Sequence, residues 1–222
     1  MRGLLVTGTD TEVGKSVVAA CVCAALVAGG ERVAAFKPAV TGLDESPGEW
    51  PPDHELLAAA AGGVQTPEQV APYRFGPPLS PHYAAELAGE AIEPPRLLAA
   101  ARQWRDRLLI AEGVGGLLVP ITPGYLVRDL AVDLALPLVV VARPALGTIN
   151  HTLLTIEAAR AAGLRVAGVV MTPWPTRPAP IEASNRATVE RLGGVAVSGL
   201  PPTSPATLAE AGAHLPLDDW LR

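Results

Sequence analysis

The segment Gly8-Thr9-Asp10-Thr11-Glu12-Val13-Gly14-Lys15-Ser16 follows an apolar run, Arg-Gly-Leu-Leu-Val-Thr at 2–7, and opens a helical pattern over 15–28. Strand, glycine-bearing loop and helix in that order restrict the fold to an open α/β sheet with the loop at the carboxyl end of a strand. There the loop N–H groups and the unpaired N–H groups of the helix start can surround phosphate oxygens, with the Lys15 ammonium as counter-charge. The Ser16 hydroxyl stands where phosphate loops hold Mg²⁺. Thr11, Glu12, Val13, Gly14, Lys15, Ser16 and Val17 are therefore candidate nucleotide contacts. One feature is unusual: counting back from Gly14-Lys15, the usual first-glycine position holds Thr9, and Gly8 comes one residue early.

The rest of the chain agrees with that unit. Strand-like runs recur at 32–37, 107–112, 137–142, 164–171 and 195–199, separated in several places by helical patterns at 95–106, 128–135, 149–162 and 180–192. Alternation of this kind predicts a doubly wound, mostly parallel sheet with helices on both faces, of the P-loop NTPase type, in a single domain spanning 1–222. Hydrophobic residues make up 49% of the chain but aromatics only 4%, so the core must be aliphatic, which suits a sheet buried on both faces. A net charge of −5 argues against nucleic acid or an anionic membrane as partner. No apolar run reaches the roughly 18 residues of a membrane span, and the N-terminus lacks the zones of a signal peptide, so a cytoplasmic location is expected. Cys21 and Cys23, two apart on one helical pattern, point to different faces and read as small core residues rather than a disulfide or metal pair.

Three further places bear on function. Arg107–Glu112 delivers a carboxylate at a strand end, where Glu112 can complete a Mg²⁺ shell; a solvated strand-end Glu is the alternative. Gly113, Gly115 and Gly116 behind it would let backbone approach a nucleotide. Lys37 ends the second strand on the same sheet edge, either as an ordinary solvated lysine or as a cation for charge developing on a transferring phosphoryl group. The turn Gly147-Thr148-Ile149-Asn150-His151 opens a helix and could hold an anion, or Thr148 or Asn150 could simply cap it. Between Thr41 and Pro81 seven prolines (47, 51, 52, 67, 72, 77 and 78) break the rhythm, with one short helix near 53–61, and the stretch reads as a substrate-lining excursion or a stiffened surface loop.

Taken together these segments resemble the dethiobiotin synthetases: Gly-Thr-Asp-Thr-Glu-Val-Gly-Lys-Ser at 8–16, Lys-Pro-Ala-Val-Thr-Gly at 37–42, Ser-Pro-His at 80–82, Glu-Gly-Val-Gly-Gly at 112–116 and Leu-Gly-Thr-Ile-Asn-His at 146–151. The displaced glycine is that family's own variant of the loop. The resemblance implies an ATP-dependent carboxylation and ring closure of 7,8-diaminononanoate with CO₂ or bicarbonate, through a carbamate and a carbamic–phosphoric anhydride, to dethiobiotin. It places Lys15 and Lys37 in catalysis, Ser16, Asp53 and Glu112 on Mg²⁺, and Thr11, Lys37, Thr41 and Ser80 toward the diamine or its carbamate. Gly113, Val114 and Gly115 would lie on the nucleotide, and Gly147, Thr148 and Asn150 on the substrate carboxylate of a partner subunit, since the family is homodimeric. Asp53 can alternatively be read as a helix cap. Thr172, with Pro201, Pro202 and Thr203, would face the base; Thr172 stands where the family usually has an Asn, which leaves the choice between ATP and another nucleoside triphosphate open. The competing classes are another ATP-dependent ligase on the same sheet, and a nucleotide-switch ATPase or a regulatory module related to the synthetases. Switches of that type carry an early lysine in the loop, where this chain has Thr, Asp, Thr, Glu and Val.

Overall fold

The computed structural model describes residues 1–46 and 48–222; Pro47, one of the prolines of the 41–81 stretch, lies outside them. The chain opens with β1 (Gly3–Gly8), α1 (Lys15–Ala28) and β2 (Val33–Phe36). Four helices, α2 (Asp53–Ala60), α3 (Pro67–Val70), α4 (Pro81–Ala88) and α5 (Pro94–Arg102), precede β3 (Leu108–Gly116). A small hairpin of β4 (Pro120–Thr122) and β5 (Tyr125–Leu126) leads into α6 (Val127–Leu134) and β6 (Leu138–Ala142). Then follow α7 (Thr148–Ala161), β7 (Val166–Met171), α8 (Pro180–Gly193), β8 (Val197–Gly199), α9 (Leu208–Gly212) and α10 (Leu217–Trp220).

The main sheet has the order β2-β3-β1-β6-β7-β8 with every pairing parallel. From β1 the chain lays β2 and β3 to one side and β6, β7 and β8 to the other. The loops after β1, β2, β3 and β6 therefore emerge together at one edge, where open α/β sheets bind ligands. Strand side chains alternate between two cores. Leu4, Val6, Val33, Ala35, Leu108 and Ile110 pack with α1, α2 and α9. Leu5, Ala34, Phe36, Leu109, Ala111 and Leu138 pack instead with α5 and α6. At the far side Val140, Val169 and Met171 meet Ile156 of α7 and Val189 of α8. Each such aliphatic side chain taken from water contributes about 1.5–3 kcal/mol, and with both faces covered the strands read as continuous apolar runs rather than alternating ones.

The expected strands are all present, with β7 and β8 each starting two residues later and β3 running four residues further than the apolar pattern indicates. The 41–81 excursion is more ordered than its prolines suggest, since it holds α2 and α3. Prolines here serve as helix starts: Pro67 and Pro81 occupy the first turns of α3 and α4, where a missing N–H is no loss. Thr66 and Gln69 form a capping box on α3, and Gly89, at φ 64°, ends α4. Cys21 and Cys23 are both buried and unpaired, as expected, because α1 lies between the sheet and α9 and so has a core on more than one face.

Candidate active site

The loop from β1 to α1 turns on two left-handed residues, Glu12 at φ 56° and Gly14 at φ 92°. Left-handed residues alternating along a loop turn successive N–H groups toward a common point, the concavity that binds anions. Gly14 caps α1 without a side-chain acceptor, so the first N–H groups of the helix add to that concavity. The displaced Gly8 has a physical reason as well: a Cβ there would lie 2.8 Å from Val13 Cγ2 and 2.9 Å from the Asp10 carbonyl oxygen, because the loop folds back over it. The Val13 side chain is buried in the core beneath, so only its backbone faces the phosphate side. Lys15 donates to the Asp10 carbonyl at 2.8 Å, which holds its ammonium inside the loop. Burial pulls the Lys15 ammonium below the ordinary lysine value, Glu112 opposes that, and neighbouring Lys37 adds to it.

A cleft of about 350 Å³ opens beside the loop and gathers most of the expected site. The loop and the start of α1 contribute Thr11, Glu12, Gly14, Lys15, Ser16 and Val17 to its lining. Later segments contribute Lys37, Thr41, Asp53, Glu112, Val114 and Gly115, with Trp50 and Leu56. Both lysines thus face one cavity. Lys37 ion-pairs with Asp53 and, at 2.7 Å, with Glu112, while Ser16 Oγ donates to Glu112 at 2.8 Å. Lys37 is 4% and Glu112 1% exposed, which rules out a solvated strand end for either. Burial alone would pull Lys37 down, but Glu112 and Asp53 overcome it and hold the ammonium above the ordinary lysine value. Burial pushes the Glu112 carboxyl up, with Lys37 pulling the other way. Burial also opposes ionisation of Asp53, but Lys37 outweighs it and holds that carboxyl below the usual range. Asp53 is the first residue of α2 and Pro52 its cap, so Asp53 does not cap the helix, and its side chain lines the cleft.

The oxygens of Ser16, Asp53 and Glu112 converge here, and hard oxygen donors of this kind suit Mg²⁺. The second Glu112 oxygen, Oε2, is buried without a hydrogen-bond partner, a condition that costs about 1–3 kcal/mol and that a hydrated cation would relieve. Among the described residues no cluster of three or more His, Cys, Asp or Glu side chains is placed to hold a metal. The donor set therefore fits an ion that keeps much of its shell from water and phosphate.

Other expected residues lie elsewhere. Gly113 does not line the cleft, and a Cβ there would come 2.8 Å from Val127 Cγ1, so its missing side chain serves the packing of α6. Thr172 is buried beside the loop, where a Cβ on Gly14 would meet its methyl at 2.7 Å. Pro201, Pro202 and Thr203 follow β8 outside the cleft, and the Thr203 hydroxyl bonds to Thr207 at 2.9 Å. Ser80 caps α4 with no side-chain bond and does not line the cleft. Gly147, at φ 92°, caps α7, so neither Thr148 nor Asn150 does. Thr148 is buried with its hydroxyl 3.4 Å from that of Thr152, and Asn150 is exposed. A neighbouring groove of about 410 Å³ shares Thr11 with the cleft and runs from Asp10 and Leu118 to His151 and Leu154 of α7. Sequence reasoning missed Trp50, an aromatic just ahead of Asp53, and Arg143, a cation at the carboxyl end of β6; strand-end position was the available signal for the second.

A phosphate-gripping loop at the centre of a parallel sheet, with two lysines and two carboxylates converging beside it, defines a P-loop nucleotide-binding protein. Solved structures of the same architecture include the cell division ATPase MinD of Pyrococcus furiosus, with a TM-score of 0.56 at 16% identity over 99% of this chain and 98% of that one. A ParA family ATPase of Chlorobium tepidum has a TM-score of 0.53 at 13% identity over 96% and 88%. At those identities the likeness is one of fold alone. A family described as an AAA domain matches residues 2–210. Among curated relatives, the ATP-dependent dethiobiotin synthetase BioD of Anaeromyxobacter dehalogenans is 45% identical over 86% of each chain. That of Bacillus subtilis is 36% identical over 98% of this chain and 94% of its own. The chain belongs to the dethiobiotin synthetase family.

Proposed function

We propose that the chain closes 7,8-diaminononanoate with CO₂ and ATP to dethiobiotin, ADP and phosphate, as the names of its relatives indicate. The observation that carries the reading is the convergence of Lys15 and Lys37 on one cleft, within a sequence 45% identical to a synthetase. One amine of the diamine adds to CO₂ and loses a proton, giving a carbamate. A carbamate oxygen then attacks the terminal phosphorus in line, the bond to ADP breaks, and a carbamic–phosphoric anhydride results. The second amine attacks the anhydride carbonyl, forms the last C–N bond, loses a proton and expels phosphate.

Such a transfer needs positioning and positive charge more than a protein nucleophile. Lys15, held in the loop, faces the phosphates, and Lys37, in the same cleft, neutralises charge on the carbamate and the phosphoryl group as it moves. Lys37 is fixed for that role by Asp53 and Glu112, so no reorganisation is needed when the charge develops. Thr11 and Thr41 flank the diamine. Ser16, Asp53 and Glu112 would hold Mg²⁺, which when bound supplies charge neutralisation at the phosphate oxygens. Thr172 and the 201–203 segment lie toward the base, and Gly147, Thr148 and Asn150 toward the substrate carboxylate across a homodimer interface. The exposed Leu118 and Leu154 on the neighbouring groove support that second copy. We place the protein in the cytoplasm as a single domain over 1–222; no helix among the described residues is long and apolar enough to cross a membrane.

Purified protein given the diamine, bicarbonate and Mg-ATP should release one ADP per dethiobiotin, read by coupled ADP assay and mass spectrometry. The same assay with CTP and GTP reads how strictly the Thr172 side selects the base. ADP release that the diamine does not stimulate would remove the synthetase reading.

A further inference from the structure

β6 ends at Ala142, and the next residue, Arg143, turns its guanidinium back onto the phosphate loop. Nε and Nη2 donate to the Glu12 carbonyl oxygen at 3.3 and 3.0 Å, and Nη2 also donates to the Thr11 carbonyl at 3.4 Å. Arg143 is not among the residues that line the cleft, whereas Thr11 and Glu12 are. A backbone that turns its N–H groups inward at left-handed Glu12 and Gly14 turns the preceding carbonyls outward, and a cation there holds the peptide planes in place. Glu12 is the more demanding of the two, because a residue with a Cβ is disfavoured at φ 56° and reverts unless something holds it. The bonds from Thr11 N to Asp10 and from Lys15 to Asp10 are internal to the loop and do not reach Glu12. Backbone pairing of Thr9 N to the Val141 carbonyl at 2.9 Å ties only the start of the loop to β6.

The segment that carries Arg143 is itself held. Asn185 of α8, 6% exposed, donates to the Pro144 and Ala145 carbonyls at 3.1 and 3.2 Å. A continuous set of hydrogen bonds therefore runs from α8 through the 143–145 segment to the middle of the phosphate loop. We propose that Arg143 is a positioning residue for nucleotide binding, a clamp that presets the inward N–H groups of the loop, with Asn185 as its anchor. The inference rests on the loop being the triphosphate site. Its effect is preorganisation: without the clamp, the loop must be ordered by the ligand at the expense of affinity.

The test is titration of wild type, Arg143→Ala and Arg143→Lys with Mg-ATP by calorimetry, beside thermal melts and steady-state kinetics. Arg143 is exposed, so Arg143→Ala should fold and melt within a few degrees of wild type. Its Kd should rise about tenfold, the order expected when charge-assisted hydrogen bonds are lost, with the change falling on KM for ATP more than on kcat. Arg143→Lys reaches one carbonyl but cannot bridge two, and should recover part of the loss. An unchanged Kd in Arg143→Ala overturns the clamp alone. A wild-type chain that binds no Mg-ATP overturns the reading of the loop and the clamp with it.

Discussion

At Lys37 an ammonium is held out of water against two carboxylates, one fully buried and one partly exposed. An exposed pair of this kind contributes about 0–1 kcal/mol, whereas removing one member of a buried pair typically costs about 3–5 kcal/mol because the other charge is left alone. Lys37 thus neutralises part of the charge of Glu112 and Asp53, and in the proposed reaction it would also present charge to the reacting atoms. Lys37→Met keeps the volume of the stem and removes the charge. It should leave the Kd for Mg-ATP within about threefold, since Lys15 and the loop remain, and lower turnover by about 10²-fold. Wild-type turnover in that variant would return Lys37 to a structural role. The local sequence Phe-Lys-Pro marked Lys37 as a strand-end lysine but left open whether it was wet. Burial is set by α2, which arrives from the 41–81 excursion and brings Asp53 with it, and no local pattern carries that information. Glycines divide in the same way: Gly14 is needed for the loop conformation, which its motif announces, but Gly113 is needed for the approach of Val127, which nothing near it in the chain announces.

Among the elements, α1 was legible because a loop motif starts it and an apolar pattern sustains it for 14 residues. The short helices α3, α9 and α10 were not, since four or five residues hold too few turns for a helical period to show; α4 was missed as well, although α2 and α6, equally long, were read. Yet α9 is an integral part of the site's support. It packs against α1, and a Cβ at Gly212 would overlap the Cys21 carbonyl oxygen, so the two backbones touch where the glycine sits. Gly212→Val would push α9 off α1. Overpacking of about 1–3 kcal/mol should lower Tm by roughly 2–12 °C in a chain of this size. A melt indistinguishable from wild type would show that the contact is soft. Helix α1 is thereby supported on the side away from the sheet, while its first turn is left free of side-chain caps to face phosphate.

For the whole molecule, the strand order places the ends of β1, β2, β3 and β6 at one edge and thereby assembles a cleft from residues more than a hundred positions apart. The groove beside it presents Leu118 at 52% and Leu154 at 56% exposure, large apolar side chains that a second copy would cover. Light scattering should find a dimer at micromolar concentration. Leu154→Glu should shift it to monomer and abolish diamine-stimulated ADP release while Mg-ATP binding persists. A wild-type monomer with full turnover would overturn the interface. By itself the sequence determined the order and type of the long elements, the parallel sheet, the phosphate loop and the family, because all of these are written in local patterns of burial, glycine and charge. Only the tertiary structure decided that Lys37 is paired with both Asp53 and Glu112 in one cleft, that Gly113 serves the packing of a helix, and that Arg143 reaches the loop. Those outcomes depend on distances between segments far apart in the chain, and such distances exist only once the cores on both faces of the sheet have closed.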